Sequence, residues 1–139
     1  MPRRILLCDD EAHIVRAAEF KFKKGGYEVV CASDGEEGWE ILQTFKPDIV
    51  ITDYQMPRLD GLGLINRIRS NPSTAEIPVI MLTAKGFELS HESTCGRLGV
   101  VAILPKPFSP RELFQRVEEI LNESLRARSL ENRVQAETM

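Results

Sequence analysis

Five short apolar runs alternate with amphipathic segments, and that rhythm constrains the fold of this chain more than any other feature. Residues 4–8, 28–32, 48–52, 78–82 and 100–104 are rich in Ile, Val and Leu. Most of these runs are continuous rather than alternating, as expected for parallel strands covered on both faces. The segment 11–24 has helical spacing and stops at Gly25-Gly26, a strong helix terminator. Residues 35–45 follow the capping pair Ser33-Asp34 and end before Pro47. A third helix is expected over 61–70, closed by Asn71-Pro72, and a weaker fourth over 87–98. The fifth opens with Ser109-Pro110-Arg111-Glu112, a capping box with Pro at the first helical position. Repeated strand-then-helix units predict an α/β architecture: a doubly wound five-stranded parallel sheet with helices on both faces.

In such a sheet, ligands bind beyond the carboxyl ends of the strands where the strand order reverses. Asp9 and Asp10 close the run Ile5-Leu6-Leu7-Cys8, and Asp53 closes Ile49-Val50-Ile51-Thr52. Thr83 and Lys106 stand just past the fourth and fifth runs, so four strands deliver polar groups to one rim. Three crowded carboxylates repel one another unless a cation joins them. An oxygen-only cluster with room for water suits a hard divalent ion such as Mg²⁺. Asp53 is a candidate carboxylate nucleophile of the kind that forms an aspartyl-phosphate. Mg²⁺ shared by Asp10 and Asp53 would neutralise phosphoryl oxygens, with a Thr83 hydroxyl and the Lys106 ammonium as further partners.

At 139 residues, the chain is the size of one domain with a real core. Its 21 acidic and 18 basic residues leave a net charge of -3, which offers no electrostatic case for nucleic acid or an anionic membrane. No apolar run approaches the roughly 20 residues that cross a bilayer. The acidic pair also interrupts the start too early for a secretory signal. Cytoplasmic residence is therefore expected. Cys8, Cys31 and Cys95 have no metal-ligand spacing and read as inert thiols. His13 and His91 have no arranged partner. Phe20, Phe22, Trp39 and Phe45 read as packing residues, and Lys21, Lys23 and Lys24 as a solvated helix face.

Four motifs then stand in order: Cys8-Asp9-Asp10-Glu11; Asp53-Tyr54-Gln55-Met56-Pro57 with Asp60-Gly61; Thr83-Ala84; and Lys106-Pro107-Phe108. Together they resemble the receiver domain of two-component response regulators, most like the single-domain chemotaxis regulators, over about residues 3–123. The resemblance implies a flavodoxin-like receiver fold. It implies that Asp53 is the phosphoacceptor, charged from a phosphohistidine on a sensor histidine kinase or histidine phosphotransfer protein. It further implies that Asp10 ligates Mg²⁺ directly, that Asp9 helps through water, and that the backbone carbonyl of Gln55 is another ligand. Thr83 and Lys106 would bind the phosphoryl group. Lys106-Pro107 would be a cis peptide, and Gly61 would supply a positive φ in the loop after Asp53. One position departs: the family commonly has Tyr or Phe where this chain has Ile103, which places the usual coupling to an output surface in question. The apolar stretch Val100-Val101-Ala102-Ile103 is either a partner surface or a better-buried strand.

A receiver over 3–123 would be followed by a C-terminal tail over 124–139, either a helical extension or disordered. With no output domain after residue 123, the expectation is a stand-alone receiver that signals through protein-protein contacts. Met1 and the short tail favour that over a domain excised from a larger protein. The expected contact face combines the predicted fourth helix, the fifth strand and the last helix, with Leu113 and Val117 at its border. A homodimer formed on phosphorylation would use the same kind of contact. Such a chain is not a conventional enzyme, because it catalyses only its own phosphotransfer and dephosphorylation at Asp53. The alternatives are a phosphorelay carrier or phosphate sink, which Ile103 would suit, and a phospho-independent receiver scaffold. A phosphohydrolase of the haloacid-dehalogenase type would need Asp where Glu11 stands, and a cap domain.

Overall fold

The computed structural model describes residues 2–84 and 96–138. Five strands, β1 (Arg4–Cys8), β2 (Glu28–Ala32), β3 (Ile49–Asp53), β4 (Val79–Thr83) and β5 (Val100–Pro105), form one parallel sheet in the order β2-β1-β3-β4-β5. Among the described residues, four helices accompany them: α1 (Ala12–Lys24), α2 (Gly35–Leu42), α3 (Gly61–Ser70) and α4 (Pro110–Thr138). This is the five-stranded parallel sheet that the strand rhythm predicted, in the flavodoxin-like form that the resemblance implied. The predicted helix over 87–98 lies mostly outside the described residues, together with His91 and Cys95.

Alternate residues of each strand face opposite layers. Ile5, Leu7, Ile49, Ile51, Ile80 and Leu82 pack with Ala18 and Phe22 of α1 and Leu113 and Val117 of α4. Leu6, Cys8, Val50, Val79 and Met81 pack with Leu42 of α2 and Leu64, Ile65 and Ile68 of α3. Burial on both faces is why the central runs are continuously apolar. β3 and β4 each begin and end one residue later than predicted. Tyr54 N donates to Leu82 O at 2.8 Å and Lys106 N to Thr83 O at 2.7 Å, so strand pairing reaches the polar rim itself.

The capping signals act as their chemistry requires. Asp34 and Asp60 accept from the backbone of Glu37 and Gly63, both at 2.8 Å. Ser109 and Glu112 exchange reciprocal bonds of 3.0 and 3.2 Å at the start of α4. The Lys106-Pro107 peptide is cis. α4 continues to Thr138, with Leu121 buried but Leu125 and Leu130 exposed. Arg69, unremarkable in sequence, ties the end of α3 to two connections. Its guanidinium donates to the carbonyls of Ala75, Ile77, Leu98 and Gly99 at 2.6–3.2 Å.

Four expectations are corrected. Gly61 does not take a positive φ; Arg58 does, at 67°. Glycine is needed at 61 because a Cβ there would collide with the carbonyl of Asp53. Phe20 is not a packing residue but is 70% exposed, with the Lys24 ammonium 6.0 Å from its ring centre. Leu113 and Val117 lie fully in the core, not at a surface border, because α4 turns that stripe toward the sheet. β5 is not a better-buried strand. It is the sheet edge, and a register shift between Val79 and Ile80 skips Val101, which is left 51% exposed. An unpaired bulge residue on an edge strand has no neighbour to cover it.

Tyr27 packs edge-on to Phe22 and Phe114, with ring centres 5.5 and 5.8 Å away, and its hydroxyl donates to Glu118 at 2.6 Å. Burial first, and then the bond to Glu118, push its pKa up to about 12 from 10.0. A phenol whose proton is held more tightly in the folded state adds stability below its ordinary pKa and loses it as pH rises through the folded value. Alkaline unfolding is therefore expected to steepen between pH 10 and about 12. Tyr27→Phe should remove that increment when urea midpoints are compared across the same range. Gly61→Ala is expected to cost about 2–3 kcal/mol in urea denaturation, because the added methyl meets backbone rather than a flexible side chain.

Candidate functional site

The sheet order reverses at β1, whose two neighbours are β2 and β3. The loops leaving β1 and β3 therefore part there, opening the crevice in which doubly wound sheets bind ligands. Asp9 and Asp10 follow β1, and Asp53 is the last residue of β3. One carboxylate oxygen from each lies within 4.8 Å of the other two. Asp9 and Asp53 are buried and Asp10 is exposed. Gln55, two positions past Asp53, sits on the exposed loop of this rim. Thr83 ends β4 and is buried, and its Oγ1 has no hydrogen-bond partner among the described residues.

Lys106 reaches across from the end of β5. Its Nζ lies 2.7 Å from Glu11 Oε1, 3.0 Å from Asp9 Oδ2 and 3.1 Å from Asp53 Oδ2. The contacts with Glu11 and Asp53 are hydrogen bonds. The Asp9 contact is close enough for an ion pair but lacks hydrogen-bond alignment, so Asp9 Oδ2 counts as unsatisfied. Burial opposes the Lys106 charge, yet the surrounding carboxylates of Glu11, Asp9 and Asp53 outweigh burial and raise its pKa. The Asp53 carboxyl is raised chiefly by burial, with the nearby Asp9 charge adding to this and the Lys106 bond resisting it. Glu11 is lowered, first by its hydrogen bond from Lys106.

Three carboxylates thus meet one ammonium, with that of Asp10 clustered beside them, and two buried polar atoms lack a full set of partners among the described residues. An all-oxygen donor set with excess negative charge fits a hard divalent cation. The structure brings together Asp9, Asp10, Asp53 and Lys106, and sets Thr83 at the end of the neighbouring strand.

A model of the response regulator receiver domain matches residues 5–118. The chain belongs to the response regulator receiver family. It is 39% identical over 125 residues to the alkaline phosphatase synthesis transcriptional regulatory protein PhoP of Bacillus subtilis (strain 168), covering 89% of this chain and 50% of that protein. The chain spans about half the length of the curated relatives it matches. Among solved structures, the Francisella response regulator 1452 receiver domain superposes with a TM-score of 0.78 at 30% identity, covering 88% of this chain and 98% of that one. The chemotaxis response regulator CheY4 of Vibrio cholerae gives 0.80 at 25% identity, covering 86% and 99%.

Within this receiver, Ile103 pairs with Met81, two residues before Thr83, and packs beside Leu98 and Val100. It carries no ring or hydroxyl. The loop after Asp53 is clasped to the start of α2: Arg58 Nη1 lies 3.4 Å from Asp34 Oδ2, and Gly35 N donates to Leu59 O at 3.0 Å. Sequence reasoning overlooked this clasp, because Arg is not a residue that announces a left-handed backbone. It also read Glu11 only as the start of a helix within the first motif. The sole signal was its place beside the acidic pair.

Replacing Lys106 by Met would leave the carboxylates without their ammonium. In chelator-containing buffer, Lys106→Met is expected to lose roughly 2–3 kcal/mol of stability, below the full cost of breaking a deeply buried pair because the rim is partly open. Added Mg²⁺ should raise the urea midpoint of this variant more than that of the parent chain.

Proposed function

We propose that Asp53 accepts a phosphoryl group from a phosphohistidine on a sensor histidine kinase or histidine phosphotransfer protein, and that the chain signals through protein-protein contacts. The observation that carries this reading is the contact of one buried ammonium with the Asp53 carboxylate, 3.1 Å away, at the sheet's switch point. In the transfer, an Asp53 oxygen attacks phosphorus while the phosphorus–nitrogen bond breaks and its electron pair returns to the imidazole. Lys106 is positioned to pair with a phosphoryl oxygen once it turns from its carboxylates. The Thr83 hydroxyl, which has no partner among the described residues, can donate to a second oxygen. Asp9, Asp10 and Asp53, with the Gln55 backbone carbonyl, would hold Mg²⁺, which neutralises charge on the transferring group.

The fold supports an output surface on the β5 side. Val101 is exposed at the bulge, and Ile103, Pro105, Phe108 and Arg116 line a groove between β5 and α4. A partner protein reading the phosphorylated state there is the form of signalling we favour. The absence of an aromatic side chain at Ile103 favours, as a second reading, a phosphorelay carrier whose output is the phosphoryl group itself.

Intact-protein mass spectrometry after incubation with acetyl phosphate and Mg²⁺ tests the phosphoacceptor. One added phosphoryl group is expected, lost in Asp53→Asn and in the presence of a chelator. No addition to the folded chain, or addition that survives Asp53→Asn, would sink the assignment. Return of the label from Asp53 to a phosphotransfer histidine would favour the carrier.

A further inference from the structure

An ammonium group has three N–H donors, and three carboxylates crowd the one on Lys106. Glu11 is the nearest at 2.7 Å, closer than Asp9 at 3.0 Å or Asp53 at 3.1 Å. Yet Glu11 stands outside the three-carboxylate cluster that fits a cation. Its side chain is 44% exposed, whereas those of Asp9 and Asp53 are 0% and 8% exposed. Although Glu11 occupies the N-cap position of α1, its carboxylate caps nothing there. The other basic side chain near it among the described residues is His13, with Nε2 3.8 Å from Oε2.

A phosphoryl oxygen arriving at Asp53 needs a donor, and three carboxylates within 3.1 Å already crowd the Lys106 ammonium, two of them hydrogen-bonded to it. One carboxylate must yield. Release costs least for the group that water can rehydrate, and Glu11 is the only one of the three with substantial exposure. Displacing Asp9 would instead strand a buried carboxylate.

We propose that Glu11 restrains phosphorylation by competing with the incoming phosphoryl group for Lys106, so that its ion pair must open before the ammonium can engage the reacting group. This rests on the reading of Asp53 as phosphoacceptor. Glu11 is a positioning residue: it acts on Lys106, not on the reacting atoms. A purely structural contact, once lost, would slow phosphorylation or leave it unchanged. A competitor, once lost, speeds it.

Two variants separate contact from charge. Glu11→Gln keeps the length and removes the charge, while Glu11→Asp keeps the charge and shortens the reach by one methylene. Phosphorylation by acetyl phosphate with Mg²⁺ would be followed by intact mass at matched ionic strength, with urea midpoints recorded for each variant. Both variants are expected to react faster than the parent by roughly two- to fivefold, the scale of a partly exposed ion pair, without a gain in urea midpoint. Acceleration of Glu11→Gln alone would mean simple repulsion of an anionic donor and overturn the competition. Equal rates in all three chains would overturn it while leaving Asp53 as acceptor. If none of the three chains is modified, the acceptor assignment itself fails and the competition with it.

Discussion

Lys106 Nζ sits within 3.1 Å of Glu11, Asp9 and Asp53, and it is the charge that lets an acidic rim form at the end of a buried sheet. Burying carboxylates away from a counter-charge is costly enough that such groups usually neutralise instead. Here the compensation is partial. One ammonium serves three acidic groups, and Asp9 Oδ2 and Thr83 Oγ1 are left short of partners among the described residues. That deficit is what the proposed cation and phosphoryl group would fill.

The scaffold turns this local imbalance into a defined geometry. β1, β3 and β4 are enclosed by helices on both faces, so their ends cannot shift without disturbing two packed layers. Lys106 depends on the edge strand β5, where a bulge leaves Val101 outside and Ile103 half-buried. The carboxylate side of the rim is thus held by strands packed on both faces, while the ammonium enters from the less covered edge strand. The edge-strand side of the rim adjoins the groove between β5 and α4.

Much of the fold was legible because the local signals agreed with one another. The continuous runs of Ile, Val and Leu reported two-sided burial. Gly25-Gly26, Asp34 and Ser109 marked helix ends through backbone geometry and capping bonds that act within a few residues. The misreadings share a different cause. Phe20, Leu113 and Val117 lie on helices whose rotation against the sheet depends on partners distant in sequence. Gly61 was assigned a turn conformation when its real constraint is the carbonyl of Asp53 across a tight approach. Arg58 holds the left-handed position instead, steadied by Asp34 on another element.

By itself the sequence determined the succession of strands and helices, the chemistry of the groups at the strand ends, and the family to which the motifs pointed. Those properties follow from periodicity, capping and side-chain type, all encoded over a few neighbouring residues. Only the tertiary structure decided which carboxylate stands nearest to Lys106, which polar atoms are left without partners, and which apolar residues of β5 and α1 face water. These are outcomes of packing between residues as far apart as Glu11 and Lys106. The energy of an ion pair depends on separations of a few tenths of an ångström and on access to water, neither of which a linear pattern specifies.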